Sequence, residues 1–173
     1  GIAVKNHNSE YTLLNGNQTA VLLTYYLLSQ WSANGKIKGK EFIVKTIVTT
    51  DLITLIADKF KVEHFNVLTG FKFIADIIRK NERTKTYIGG GEESFGYLAG
   101  DFVRDKDAVS ACAIIAEAAA WAKDQGKTLY DILIDIYLEF GLYKEDLISI
   151  VRKGKSGSEE IKKMMDNFRM NAP

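Results

Sequence analysis

The residues best suited to chemistry lie in one short run, Gly89-Gly90-Gly91-Glu92-Glu93-Ser94. Three glycines let a backbone approach a ligand closely and take positive φ. An ionised glutamate only accepts hydrogen bonds, whereas a serine hydroxyl donates and accepts. A carboxylate and a hydroxyl beside a glycine bend therefore suit a ligand rich in hydroxyl groups. The bland alternative is a tight turn with solvated acids, since glycine is the commonest turn residue. Sharper motifs fail. A P-loop needs Gly-Lys-Ser/Thr after its glycines, which is absent. A nucleophile elbow needs glycines two residues either side of the serine; Gly96 fits, but Glu92 occupies the other place. Paired glycosidase carboxylates need separate supports, and Glu92 and Glu93 are neighbours that point to opposite sides of an extended segment.

Other candidates are weaker. Lys72 follows Thr69-Gly70 just after an expected strand, where it could serve an anion with help from helix-start amides, or simply be a surface lysine. Arg104-Asp105-Lys106-Asp107 reads either as a phosphate or metal contact or as a charged loop whose acids favour the next helix. Asp101, Asp105 and Asp107 do not match an EF-hand loop. His7 reads as solvated, His64 as structural and Cys112 as inert core among alanines. The alanines from 111 to 122 allow close helix packing. Met164, Met165 and Phe168 read as an interface.

The elements that would position these residues alternate. Residues 1–4 and 11–14 bracket a polar turn and predict a hairpin. Asn15-Gly16-Asn17 offers an N-cap for a nearly all-apolar, hence buried, helix from Ala20 to Trp31. The β-branched run from Phe42 to Val48 predicts a strand covered on both faces. Thr49 and Thr50 can cap a helix bearing Leu52, Leu55, Ile56 and Phe60. Val62 to Leu68 reads as a strand, Phe71 to Ile78 as a helix, and Thr86-Tyr87-Ile88 as a third strand. Asp105 or Asp107 caps an alanine-rich helix from Ala108 to Lys123, stopped at Gly126. Thr128 and Asp131 form a capping box for the next helix, which ends at Gly141. Asp146 to Arg152 predicts a closing strand, Lys153 to Ser158 a linker, and Ile161 to Phe168 a last amphipathic helix. The alternation predicts an α/β fold: a three-layer α/β/α sandwich around a mostly parallel mixed sheet of about four strands. In such sheets ligands bind beyond the carboxyl ends of the strands, where the 68–72 and 89–96 loops both fall.

Composition narrows the classes. The chain has 173 residues, 23 Lys+Arg against 22 Asp+Glu, and a formal net charge of +1, which argues against a dedicated nucleic-acid binder. One cysteine excludes an internal disulfide framework, and two histidines make a His/Cys zinc site poor. No apolar run approaches the ~20 residues of a membrane span, and no signal peptide opens the chain, so a cytoplasmic setting is expected. The only proline is Pro173, and the chain opens directly on a strand; both ends read as cut from something longer.

At Gly90-Gly91-Glu92-Glu93-Ser94-Phe95-Gly96 the sequence resembles the α-D-phosphohexomutase superfamily, most closely its phosphoglucomutase and phosphopentomutase branch. Leu14-Asn15-Gly16-Asn17-Gln18, Thr46-Ile47-Val48-Thr49-Thr50-Asp51, Leu68-Thr69-Gly70-Phe71-Lys72 and Arg104-Asp105-Lys106-Asp107-Ala108 match in the same order. The resemblance implies four domains around one cleft: a phosphoserine domain, an aspartate loop holding Mg²⁺, a sugar-recognition domain, and a domain for the non-reacting phosphate. It places residues 1–14 at the end of the metal-loop domain, 15–152 as the sugar-recognition domain, and 153–173 as linker and helix toward the phosphate-binding domain. It implies a parent that interconverts sugar 1-phosphates and 6-phosphates (5-phosphates for pentoses) through a bisphosphate. Glu92 and Ser94 would hold adjacent sugar hydroxyls, with Glu93, Gly91, Thr69 and Gly70 around them and Lys72 near the substrate or its phosphate. The Ser-His-Asn-Pro, Asp-x-Asp-x-Asp and Arg-x-Ser-Gly-Thr loops are not in this sequence, so the segment alone is expected to be inactive, with the Mg²⁺ ligands upstream of Gly1. Its expected partners are a phosphosugar and the other domains of its parent. The competing reading is a stand-alone α/β binding module on the same scaffold.

Overall fold

A computed structural model describes residues 1–172. Gly1–Tyr143 forms one compact unit, and a second unit begins at Lys144.

In the first unit, β1 (Ile2–Lys5) and β2 (Tyr11–Leu14) make the expected antiparallel hairpin. Then follow α1 (Gly16–Ala33), β3 (Glu41–Thr46), α2 (Leu52–Lys59), β4 (Glu63–Val67), α3 (Phe71–Asn81), β5 (Thr86–Gly91), β6 (Tyr97–Ala99), α4 (Ala108–Asp124) and α5 (Leu129–Phe140). The main sheet has the order β4-β3-β5-β6; β3 pairs parallel with both β4 and β5, and β6 returns antiparallel on β5. This is the mostly parallel, four-stranded mixed sheet read from the alternation.

Both faces are covered. Ile43 and Ile88 face a core built with Leu22 and Leu23 of α1, Ile56 of α2, Ala118 of α4 and Leu133 of α5. Phe42, Val44, Tyr87 and Leu98 face the opposite way, onto Phe71, Ile74 and Ile78 of α3. Period-2 alternation along β3 thus divides the two cores, and every residue of that strand is buried. The helix starts follow the sequence. Asn15 and Gln18 close a capping box on α1, Asp107 Oδ2 accepts from the Ser110 N–H at 2.8 Å on α4, and Thr128 and Asp131 close a box on α5.

Several expectations are corrected. β3 stops at Thr46, and Ile47 and Val48 lie exposed in the loop beyond the rim. Of the two threonines expected to cap α2, only Thr50 does so, its hydroxyl accepting from the Leu52 N–H, whereas the Thr49 hydroxyl bonds Glu93. Cys112 is exposed, because α4 turns it away from the face that buries Ala118 and Ala122. In the second unit, residues 146–152 join no ladder among the described residues, so the closing strand is absent. β-propensity needs a neighbour's N–H and C=O groups to become a strand. The expected linker is instead the start of α6 (Gly154–Met170), where Gly157 is buried against the Arg152 backbone.

Candidate functional site

The glycine triplet does not form a bend. Gly89, Gly90 and Gly91 continue β5, are buried, and none has a positive φ. A Cβ on Gly90 would lie 2.0 Å from the Val44 carbonyl oxygen and 2.9 Å from the Tyr87 hydroxyl; one on Gly91 would lie 2.5 Å from the Gly96 carbonyl. Bare backbone is required because neighbouring strands and two tyrosines occupy the side-chain space. Burial pushes the Tyr87 and Tyr97 hydroxyls up, so both stay neutral; Tyr97 sits 3.3 Å from the Thr24 hydroxyl.

The bend lies four residues on. Glu92 N–H donates to the Gly96 carbonyl at 2.8 Å, closing a tight loop from Glu92 to Gly96 at the carboxyl end of β5. Its positive φ falls on Phe95, at 69°. The N-terminus of α1 supports this loop from beneath. A Cβ on Gly16 would meet the Glu93 carbonyl oxygen at 1.6 Å, so glycine is required there, and Asn17 Oδ1 accepts the Thr50 N–H at 3.0 Å.

The two glutamates diverge, as neighbours in extended backbone must. Glu92 is 5% exposed; its Oε1 accepts the Gly70 N–H at 2.9 Å and its Oε2 lies 3.7 Å from Lys106 Nζ. Glu92 thereby ties together the loop after β4, the loop after β5 and the charged turn before α4. Glu93 reaches the loop after β3, where its Oε2 accepts from the Thr46 and Thr49 hydroxyls at 3.2 Å each. Ser94 is exposed at the loop tip.

Of the expected residues, Gly70, Gly91, Glu92 and Glu93 converge on this rim. Thr69 is exposed beside Gly70. Lys72 is exposed in the first turn of α3, with Nζ 5.0 Å from the Phe73 ring centre. It lines a separate surface cleft of about 440 Å³ with Asp76, Arg79 and Arg104.

Lys106, read as one of several loop charges, is the cation at Glu92. It is half-exposed and also stands 5.9 Å from the Phe71 ring centre. Lys45 escaped the sequence reading altogether. It is 2% exposed in β3, and its Nζ donates to the Thr49 carbonyl and to Asp51 Oδ1, both at 2.9 Å. It fixes the turn that presents Thr49 to Glu93. A lysine inside an otherwise apolar strand was the available signal, because a buried lysine must be paired. Asp107, at the base of the charged turn, is held below the usual carboxylate range by the Ser110 hydroxyl and then its N–H.

A mostly parallel sheet with helices on both faces and its loops gathered at the carboxyl rim defines an α/β domain of the open-sheet class, in which that rim is the candidate ligand site. The family model for phosphoglucomutase/phosphomannomutase, alpha/beta/alpha domain III, matches residues 15–140. The chain belongs to this family. It is 35% identical to a phosphoglucomutase of Staphylococcus haemolyticus and 38% identical to one of Staphylococcus aureus, over all 173 residues in each case. It spans 31% of the length of each of these relatives. Its fold is similar to that of pp63/parafusin, a phosphoglucomutase from Paramecium solved in an open form. The TM-score there is 0.60 at 20% identity, covering 94% of this chain and 26% of that one.

No group of three or more His, Cys, Asp or Glu side chains among the described residues is placed to hold a metal ion. The described residues therefore offer no donor set that fits the Mg²⁺ implied by the family resemblance, whose ligands that resemblance places upstream of Gly1.

Proposed function

We propose that this chain is the sugar-recognition domain of a phosphoglucomutase/phosphomannomutase-type enzyme, which moves a phosphoryl group between the ends of a sugar phosphate through a phosphoserine and a bisphosphate. One observation carries the reading: Glu92 and Ser94 sit on one tight loop at the carboxyl rim, braced by Gly70, Lys106 and α1. Gly91, Glu93, Thr69 and Gly70 shape that rim, and Lys72 is assigned a place near the substrate or its phosphate. The reading leaves phosphoryl transfer, and the Mg²⁺ it uses, to other domains of a cytoplasmic parent, with neither a membrane nor a nucleic acid as partner.

The chemistry asked of this chain is orientation. A mutase presents either end of its substrate to the same phosphoserine, and mid-ring hydroxyls occupy similar places in both poses. Glu92 has acceptor capacity beyond the Gly70 N–H, because a carboxylate offers about four lone-pair sites. Lys106, at 3.7 Å and half-exposed, can yield or follow as a hydroxyl approaches. Ser94 supplies a donor and an acceptor beside it. Hydrogen bonds to a charged group contribute about 1.5–3 kcal/mol each. Two of them, after association entropy, leave millimolar or weaker binding for the domain alone.

The test is Glu92→Gln in the full-length mutase carrying this segment. Losing the charge should lower kcat/KM about 10- to 100-fold for both the 1-phosphate and the 6-phosphate, by the same free energy. Unchanged kinetics, or loss for one isomer only, refutes a grip shared by both poses. Calorimetric binding of glucose 1-phosphate to the 173-residue chain tighter than about 10 µM would contradict the millimolar binding expected of the domain alone.

A further inference from the structure

The loop that carries Glu92 and Ser94 holds one backbone outlier. Phe95 has a φ of 69°. In that left-handed region a bulky side chain crowds its own backbone, and glycine is the default residue. A glycine is adjacent, yet Gly96 does not take the left-handed turn. Its bareness serves another contact: a Cβ there would meet Lys106 Cδ at 3.0 Å and Glu92 Oε2 at 3.3 Å. A residue stays in a disfavoured conformation only when its surroundings over-determine it, and such residues gather at ligand sites.

The rest of the loop is tethered by polar contacts. Glu92 is tied to Gly70 and Lys106, and Glu93 to Thr46 and Thr49. At the tip, Ser94 and Phe95 make no hydrogen bond among the described residues. Packing therefore holds the tip. Phe95 N lies 3.1 Å from the Cβ position of Gly16 at the start of α1. The Phe95 ring runs beside the chain entering β1, its Cε1 3.9 Å from the Cβ position of Gly1, an ordinary contact. Phe95 is 49% exposed, so one part of it is covered while the rest faces the open rim.

We propose that Phe95 is a positioning residue. Its ring clasps the loop tip to the start of β1 and so fixes where Ser94 stands relative to Glu92. The left-handed backbone is what turns the chain at the tip while keeping an aromatic side chain on it. Phe95 acts through Ser94 and needs no contact with substrate. The inference deepens the sugar-recognition reading and rests on it.

Two measurements test the clasp. Phe95→Asn removes the ring, and asparagine tolerates left-handed backbone without the added freedom of glycine. In the 173-residue chain, amide exchange followed by NMR should become at least about tenfold faster at Glu92, whose N–H closes the loop onto Gly96, and stay unchanged at Val44 in β3. Phe95→Tyr keeps the ring and should exchange at the parent rate. Unchanged exchange at Glu92 in Phe95→Asn overturns the proposal, and so does equal acceleration at Val44, which marks a general loss of stability. In the full-length mutase carrying this segment, Phe95→Asn should lower kcat/KM about tenfold for both phosphate isomers, and Phe95→Tyr should restore it. Adding Phe95→Asn to Ser94→Ala should lower kcat/KM no further, because the two residues act as one unit. Losses that multiply, or full activity in Phe95→Asn beside a damaging Ser94→Ala, overturn the proposal. If Ser94→Ala alone leaves the kinetics unchanged, the sugar reading fails, and the clasp stands or falls on the exchange at Glu92.

Discussion

Gly90→Ala distinguishes the packing role of the glycine triplet from the hinge role read from its sequence. The new methyl would sit 2.0 Å from the Val44 carbonyl oxygen, and an ordinary contact begins near 3.4 Å. β3 or β5 must retreat by about 1.4 Å, against a strand spacing of about 4.8 Å. The retreat disturbs the parallel ladder where Val44 lies opposite Gly90, and the Tyr87 hydroxyl blocks escape from the other side. Overpacking a core costs about 1–3 kcal/mol, and here the obstacle is backbone that cannot rotate away. We expect a loss of about 3 kcal/mol or more. Urea unfolding followed by fluorescence of Trp31 and Trp121 should show a midpoint lower by about 1–3 M, given slopes of about 1–3 kcal/mol per molar. Gly35→Ala is the contrast. Gly35 has φ +61 and open space around its Cβ position, so alanine there meets only the left-handed backbone penalty of about 1–2 kcal/mol. If Gly90→Ala leaves the unfolding free energy within about 0.5 kcal/mol of the parent, a tolerance typical of surface changes, the close packing at Gly90 is refuted.

Thr128→Ala removes the cap of α5 and should cost about 1 kcal/mol, read as a lower melting temperature by calorimetry; no shift would mean that the box is dispensable. Acid should destabilise the fold through two carboxylates. Asp131 is held below its usual range by the Thr128 N–H and then the Thr128 hydroxyl. Burial pushes Glu41 up but is outweighed by the N–H groups of residues 38–41. Both are more acidic folded than unfolded, so their stabilisation is complete above the ordinary carboxylate pKa of about 4 and is lost as pH falls through the lower folded values. Urea midpoints should fall below about pH 4, and Asp131→Asn should flatten that fall; equal acid slopes in the two proteins would remove Asp131 from the account.

Local signals were readable because they act over a few residues. Asn15, Asp107 and Thr128 cap the helices their spacing predicts, and the near-continuous apolar run of β3 shows a strand buried on both faces. Residues 146–152 mislead for the opposite reason: their apolar and β-branched side chains favour a strand, but a ladder needs a neighbouring strand, and none pairs with them among the described residues. Cys112 misleads because alanine neighbours do not say which face of a helix is covered.

The order of elements, the caps and the Glu-x-Ser loop were present in the sequence, since periodicity and short motifs are properties of adjacent residues. Only the tertiary structure decided what the three glycines are for, because the atoms that exclude their side chains belong to Val44, Tyr87 and Tyr97. It alone brought Lys106 to Glu92, and Thr46 and Thr49 to Glu93. Such pairings span up to 47 residues along the chain and are set by the parallel crossings that carry three loops to one rim.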